Sequence, residues 1–148
     1  MKYILYLVLL ISSQVFAKPV NNSIAFYYSY PMPLAEMTFY SRVVVQPEHV
    51  TEHELNWFKQ RNIAVYAYLS VGESFNKNKS SLSINPNWDS HIADLASAHW
   101  QQHIQRSAET LKARGFSGLF LDTLDSYQLL DDKHSKPEQQ AGLVTIIS

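Results

Sequence analysis

The sequence predicts an α/β fold, built as a partial (β/α)8 TIM barrel of about the first four βα units. Three observations carry that prediction. Short runs rich in β-branched and aromatic residues alternate with helical patterns along the chain. The runs are continuously apolar rather than alternating, as in parallel strands covered on both faces. Four units fill residues 18–148, and eight at that spacing would reach the ~250 residues of a full barrel.

The first element is not part of the fold. Lys2 precedes an apolar run from Tyr3 to Ile11, followed by Ser12-Ser13-Gln14 and Val15-Phe16-Ala17. A positive start, a short apolar core and a small residue at the end predict a secretory signal peptide over residues 1–17. The run falls short of the ~20 apolar residues that a membrane span needs. The mature chain, residues 18–148, is therefore expected to have no membrane span and to be secreted or periplasmic, in a bacterium. It contains no cysteine, which excludes disulfides, thiolate metal sites and Cys nucleophiles. Lys+Arg number 12 against 13 Asp+Glu, so no basic excess points to nucleic acid.

Strands are expected at Ile24–Tyr28, Arg42–Gln46, Ile63–Leu69 and Gly118–Asp122. Thr51-Glu52-His53-Glu54 has the form of a capping box, with Leu55 and Phe58 making the buried stripe behind it. Ser97 is placed to cap a second helix, whose buried face is Trp100, Ile104, Ala108 and Leu111. Gly115 ends it, after Lys112 and Arg114 at the negative helix end. A third helix starts near Pro137, with Leu143, Val144, Ile146 and Ile147 expected to be buried. The Ser/Asn-rich stretch from Val71 to Ala96 reads as a long polar loop, at the strand end where such folds carry function. The apolar pattern runs uncapped to Ser148, so the chain is expected to be the N-terminal half of a barrel, able to pair with a second half.

The segment Gly115–Tyr127 carries the sharpest chemical signal. A buried strand runs into Asp122 and, three residues on, Asp125. Alternation puts Asp122 on the face of Phe120 and Gly118, with Leu119 and Leu121 turned to the outer helices. Asp122 would then project into the barrel mouth, where active sites of this fold lie, with Asp125 on the rim. The plainer alternative is that one of the two caps the following turn. Tyr66–Glu73 repeats the logic, ending in Ser70, Gly72 and the acid Glu73. Tyr28 ends the first strand and Trp88 lies in the long loop; both could stack on sugar rings, although aromatics at such positions are more often core. His99 and His103 have a chelating i, i+4 spacing. They flank the buried stripe without carboxylates beside them, so no metal site is expected. The sequence has no dinucleotide, phosphate-loop or nucleophile-elbow motif, and no cofactor is expected.

Four ordered blocks carry a family resemblance. These are Ala25-Phe26-Tyr27-Tyr28, Val43-Val44-Val45-Gln46-Pro47, Tyr68-Leu69-Ser70-Val71-Gly72-Glu73 and the run Gly115–Tyr127, with Ile92-Ala93-Asp94-Leu95 as a further similar stretch. Together they resemble glycoside hydrolase family 114, the endo-α-1,4-polygalactosaminidases, which includes hydrolase domains of Pel exopolysaccharide-processing proteins. The resemblance implies a (β/α)8 barrel and cleavage of α-1,4-linked galactosamine/N-acetylgalactosamine polysaccharide by two carboxylates. It puts the fourth-strand catalytic carboxylate on Asp122, and makes Glu73 and Asp125 sugar-binding candidates. The family's second acid is a Glu from a later strand, which nothing in this sequence matches. The expected function is thus that of a glycosidase fragment, weak alone. The alternative is a non-catalytic exported carbohydrate-binding or interaction protein derived from the same fold.

Overall fold

A computed structural model describes residues 22–148; the expected leader at 1–17 lies outside the described residues. Strand β1 is Ile24–Tyr27, followed by the short helix α1, Leu34–Met37. Strand β2 (Arg42–Val45) leads through a 3-10 turn into α2 (Glu52–Gln60) and β3 (Ala64–Ser70). Three short strands follow: β4 (Glu73–Ser74), β5 (Ser81–Asn85) and β6 (Ser90–Ala93). Helix α3 (Ala98–Arg114), strand β7 (Gly118–Asp122), a second 3-10 turn (Ser126–Leu129) and α4 (Lys136–Ile147) complete the order. No helix of the described residues is long and apolar enough to cross a membrane.

The main sheet runs β1-β2-β3-β7, with every pair parallel. Its ring contacts show that it curls. Phe26 on β1 and Phe120 on β7 meet edge to face at 5.2 Å, across the two intervening strands. In a flat sheet those outer strands would stand roughly 14 Å apart, three times the usual spacing. Tyr28, just past β1, likewise meets Tyr68 of β3 at 5.4 Å. Four parallel strands bent this far form a partial TIM barrel.

Alternation sorts the side chains. Val43, Val45, Val65 and Ala67 point outward and are buried with Leu55, Phe58 and Leu111 of the helices, Leu119 packing against them. Leu69 and Leu121 point outward higher up, against Val71, Leu95, Trp100 and Ile104. Phe26, Tyr66, Tyr68, Gly118 and Phe120 share the inner face; a Cβ on Gly118 would come within 2.9 Å of the Tyr66 ring. The expectation of full cover on both faces is corrected here. Ile24 and Phe26, on the inner side of β1, are 42% and 50% exposed.

The helices follow their local chemistry. Thr51 and Glu54 form the reciprocal capping box, Glu54 N–H donating to Thr51 Oγ1 at 3.2 Å and Thr51 N–H to Glu54 Oε2 at 2.8 Å. Gly115 takes φ 96° and closes α3, its N–H reaching the carbonyls of Leu111 and Lys112. Ser97 stands at the N-cap of α3, but its hydroxyl meets Ser80 Oγ at 3.3 Å rather than the helix amides.

Two expectations are corrected. The stretch Val71–Ala96 is not an open loop; it holds the antiparallel sheet β4-β6-β5. Its strands are only two to five residues long and rich in Ser and Asn, so their alternation is hard to see in sequence. Helix α4 also turns a different face inward. Val144 and Ile147 are 56% and 51% exposed, whereas Gln139 and Gly142 are buried. Gln139 Oε1 accepts from Leu95 N–H at 2.7 Å and its Nε2 donates to Asp94 Oδ1 at 2.8 Å. A Cβ on Gly142 would sit 2.2 Å from the Leu95 carbonyl oxygen, so backbone meets backbone there. Gly142→Ala is expected to lift α4 from this seat and lower stability by about 1–3 kcal/mol in urea unfolding.

Candidate active site

Asp122 is the last residue of β7, on the inner face and level with Ser70 of β3. Tyr68 donates its phenol hydrogen to Asp122 Oδ2 at 2.7 Å. Burial, then this bond to the carboxylate, push the Tyr68 phenol far above its ordinary value, so it stays a donor. Among the described residues Oδ1 of Asp122 accepts no hydrogen bond. One oxygen is held and the other is left without a partner among the described residues. Tyr28 stands beside the pair, its own phenol raised by burial and by the Asp122 charge.

The turn after Asp122 is strained and braced. Thr123 has φ 60°, a left-handed conformation costly for a β-branched residue, on the order of 1–3 kcal/mol. Its Oγ1 accepts the Gly72 N–H at 2.9 Å and lies 2.8 Å from Ser70 Oγ. A side chain at 72 would strike the Thr123 carbonyl oxygen at 2.1 Å, so glycine is required by this close approach. Val71 N–H donates to the Asp122 carbonyl at 3.0 Å, and Trp100 Nε1 to the Val71 carbonyl at 2.8 Å. The ends of β3 and β7 are thereby tied together, which fixes the aim of Asp122.

Glu73 is the buried anion of the site. Only 8% exposed, it accepts hydrogen bonds from Asn85 Nδ2 (3.0 Å), Ser90 Oγ and Ser126 Oγ. Burial opposes the ion, but the bonds from Ser126, Ser90 and Asn85 outweigh it and hold the carboxyl below its ordinary value. These partners come from β5, β6 and the turn beyond β7. Glu73 therefore fastens the small sheet to the barrel rim, close enough to Asp122 to feel its charge.

The structure brings Tyr28 and Glu73 to Asp122. Asp125 is exposed on the following turn, its carboxylate without a hydrogen bond or ion pair among the described residues. Trp88 is 73% exposed at the β5–β6 turn, on the same small sheet as Glu73 but at its tip. His99 and His103 lie on α3, where His99 meets Ser80 Oγ at 3.2 Å and His103 packs on Trp100. Sequence reasoning did not single out Tyr68; its place two residues before Ser70, on the same strand face, is the signal that could have found it. Ser126, Asn85 and Ser90 were not, because nothing local marks which Ser or Asn will face a buried acid.

Parallel strands curled about an inner face, with a carboxylate at a C-terminal strand end, match the barrel scaffold, whose active sites lie at that end. The chain matches glycoside-hydrolase family GH114 over residues 12–148 and belongs to that family. It is similar to the glycoside hydrolase domain of PelA from Pseudomonas aeruginosa, with 32% identity and a TM-score of 0.78 over 84% of this chain and 53% of that one. Aspergillus fumigatus Ega3, solved in complex with galactosamine, shares the fold at 12% identity, with a TM-score of 0.67 over 86% of this chain and 54% of that one. The chain thus spans about half the length of the solved proteins it matches. No curated protein sequence matches it.

The Glu73 node has a pH signature. Its folded-state value is lowered, so the bonded carboxylate stabilises the fold above its ordinary value of 4.5. That contribution drains away as pH falls through the lower folded value. Glu73→Gln should cost on the order of 1–3 kcal/mol at neutral pH. It should also flatten the acid limb of a melting-temperature profile, and an unchanged limb would remove Glu73 as its source.

Proposed function

We propose that this chain is the Asp122-bearing part of an exported glycoside hydrolase that cleaves α-1,4-linked galactosamine/N-acetylgalactosamine polysaccharide. The observation that carries the reading is the divided carboxylate of Asp122 at the end of β7, with Oδ2 held by Tyr68 and Oδ1 without a hydrogen bond among the described residues. The membership in GH114 and the likeness to the PelA hydrolase domain support the reaction class. The galactosamine in the Ega3 structure supports the sugar. Export rests on the leader pattern of residues 1–17.

In the proposed reaction Asp122 Oδ1 attacks the anomeric carbon as the bond to the leaving oxygen breaks. A second carboxylic acid gives its proton to that oxygen. Water then displaces Asp122 from the sugar, passing a proton to the second group, now a base. Tyr68 keeps Asp122 aimed and stabilises the carboxylate when it leaves. Asp125 and Tyr28 contact the sugar at the rim.

The second acid is not Glu73 in this reading, because three hydrogen bonds fill that carboxylate and favour its ionised form. It comes from outside the described residues, as from later strands of the same barrel or a second half barrel. Acidic groups at the mouth suit a substrate whose free amines carry positive charge.

Reducing-end release from galactosamine oligomers tests this reading, with the PelA hydrolase domain as yardstick. Residues 18–148 should bind the oligomers yet cleave them at least about 10²-fold more slowly than the yardstick. Equal turnover would put the acid within this chain. Where turnover is measurable, Asp122→Asn should remove it with affinity retained, and Tyr68→Phe should lower kcat about 10- to 100-fold. Full activity in Asp122→Asn would end the assignment. Binding without cleavage in every form that carries both carboxylates would favour a carbohydrate-binding protein instead.

A further inference from the structure

The small sheet raises an aromatic turn from an unusually firm base. Residues 86–89 are all exposed, and Trp88 among them is 73% exposed. The two feet of the turn are the reverse: Asn85 is 4% exposed and Ser90 3%. Both feet donate to the same buried carboxylate, Glu73. Asn85 also braces the turn from within. Its Oδ1 accepts from Asn87 N–H at 3.1 Å and its carbonyl from Trp88 N–H at 3.3 Å. Through Glu73 and Ser126 the turn is joined to the segment that follows Asp122.

A lone exposed aromatic on a loose loop would need no explanation. Here a large apolar ring is held in water by a clamp of four buried or braced polar groups. Beside it Asp89, at φ 51°, presents a carboxylate with no hydrogen bond or ion pair among the described residues. Phe75, one residue past β4, is 81% exposed. Lys79 lies toward the opposite end of the hairpin, near Ser81, where its charge reaches His99 at the start of α3.

We propose that the turn Pro86–Asp89 is an outlying subsite for an amino-sugar unit of the polysaccharide, with Trp88 as its stacking face and Asp89 as the anion for the sugar ammonium. The inference rests on the galactosamine reading above and deepens it. A pyranose presents C–H bonds to an indole face, and a protonated amine adds attraction to the ring quadrupole. That attraction is worth about 0.5–2 kcal/mol according to its exposure. Glu73 acts in this arrangement as a positioning residue. It sets the distance between the turn and the Asp122 rim, and so the length of chain that reaches both.

The test uses the full chain with defined α-1,4-linked galactosamine oligomers. Of its three tryptophans, Trp100 is buried and Trp57 lies under the Arg61 guanidinium, 4.0 Å from the ring centre. Long oligomers should shift the emission, and Trp88→Phe should abolish most of that change. By calorimetry Trp88→Ala should weaken long oligomers about 2- to 30-fold and leave the disaccharide unaffected. Asp89→Asn should reduce affinity for deacetylated oligomers and not for N-acetylated ones. Wild-type affinity of Trp88→Ala for long oligomers would overturn the subsite, as would an equal loss at every length. If oligomers bind and Trp88 is silent, the subsite alone falls. If none binds at any length, the galactosamine reading falls with it.

Discussion

Phe26 touches Phe120 although two strands separate them, and that contact measures the constraint on which the site depends. Parallel strands cannot pack aromatic rings from opposite edges unless the sheet bends toward the side that carries them. The bend is stabilised from outside by close-packed small residues, Val43, Val45, Val65 and Ala67, under α2 and α3. It is permitted inside by Gly118, whose missing side chain admits the Tyr66 ring. Bending brings β1 over β3, so that Tyr28 reaches Tyr68, and Tyr68 in turn reaches Asp122. The carboxylate environment is thus a product of curvature as much as of local sequence.

A second constraint fixes the rim. Buried polar groups are tolerable only when paired, and Glu73 is paired three times. Its donors belong to three separate elements, so satisfying one carboxylate aligns the small sheet, the β5–β6 turn and the exit from β7 together. The strained Thr123 fits the same account. Its unfavourable φ persists because Gly72 N–H and Ser70 Oγ hold its hydroxyl, and relaxation would break both contacts.

The main sheet was legible because apolar runs such as Val43-Val44-Val45 and Gly118–Asp122 report strands directly, and the capping box and Gly115 report helix ends. The small sheet was not. Strands of the Ser81-Leu82-Ser83-Ile84-Asn85 kind resemble polar loops until a partner supplies the ladder. Helix α4 misled for a related reason. Apolar content suggested Val144 and Ile147 as the buried face, but the seat on Leu95 selects a glycine and a glutamine, for closeness and hydrogen bonding rather than hydrophobicity. The position of Asp122 at the end of β7 was legible from the apolar run that leads to it. The network around Glu73 was not, since it joins residues up to 53 positions apart.

Two carboxylates near one another do not by themselves make an acid–nucleophile pair; their surroundings must push their proton affinities apart. The Asp122 charge reaches Glu73, yet the protein surrounds the two groups in an unequal way. It surrounds Glu73 with three donors that select the ion, while among the described residues Asp122 receives a single phenol and its Oδ1 accepts no hydrogen bond. A general acid must hold its proton at working pH, and a carboxylate fully occupied by donors has neither the proton nor the freedom to deliver it. Glu73 is therefore built to organise, whereas Asp122 keeps an oxygen without a hydrogen bond among the described residues, as the proposed reaction requires. In the proposed cycle the protonated partner is therefore a different carboxyl group from Glu73, whose three donors hold it as the ion.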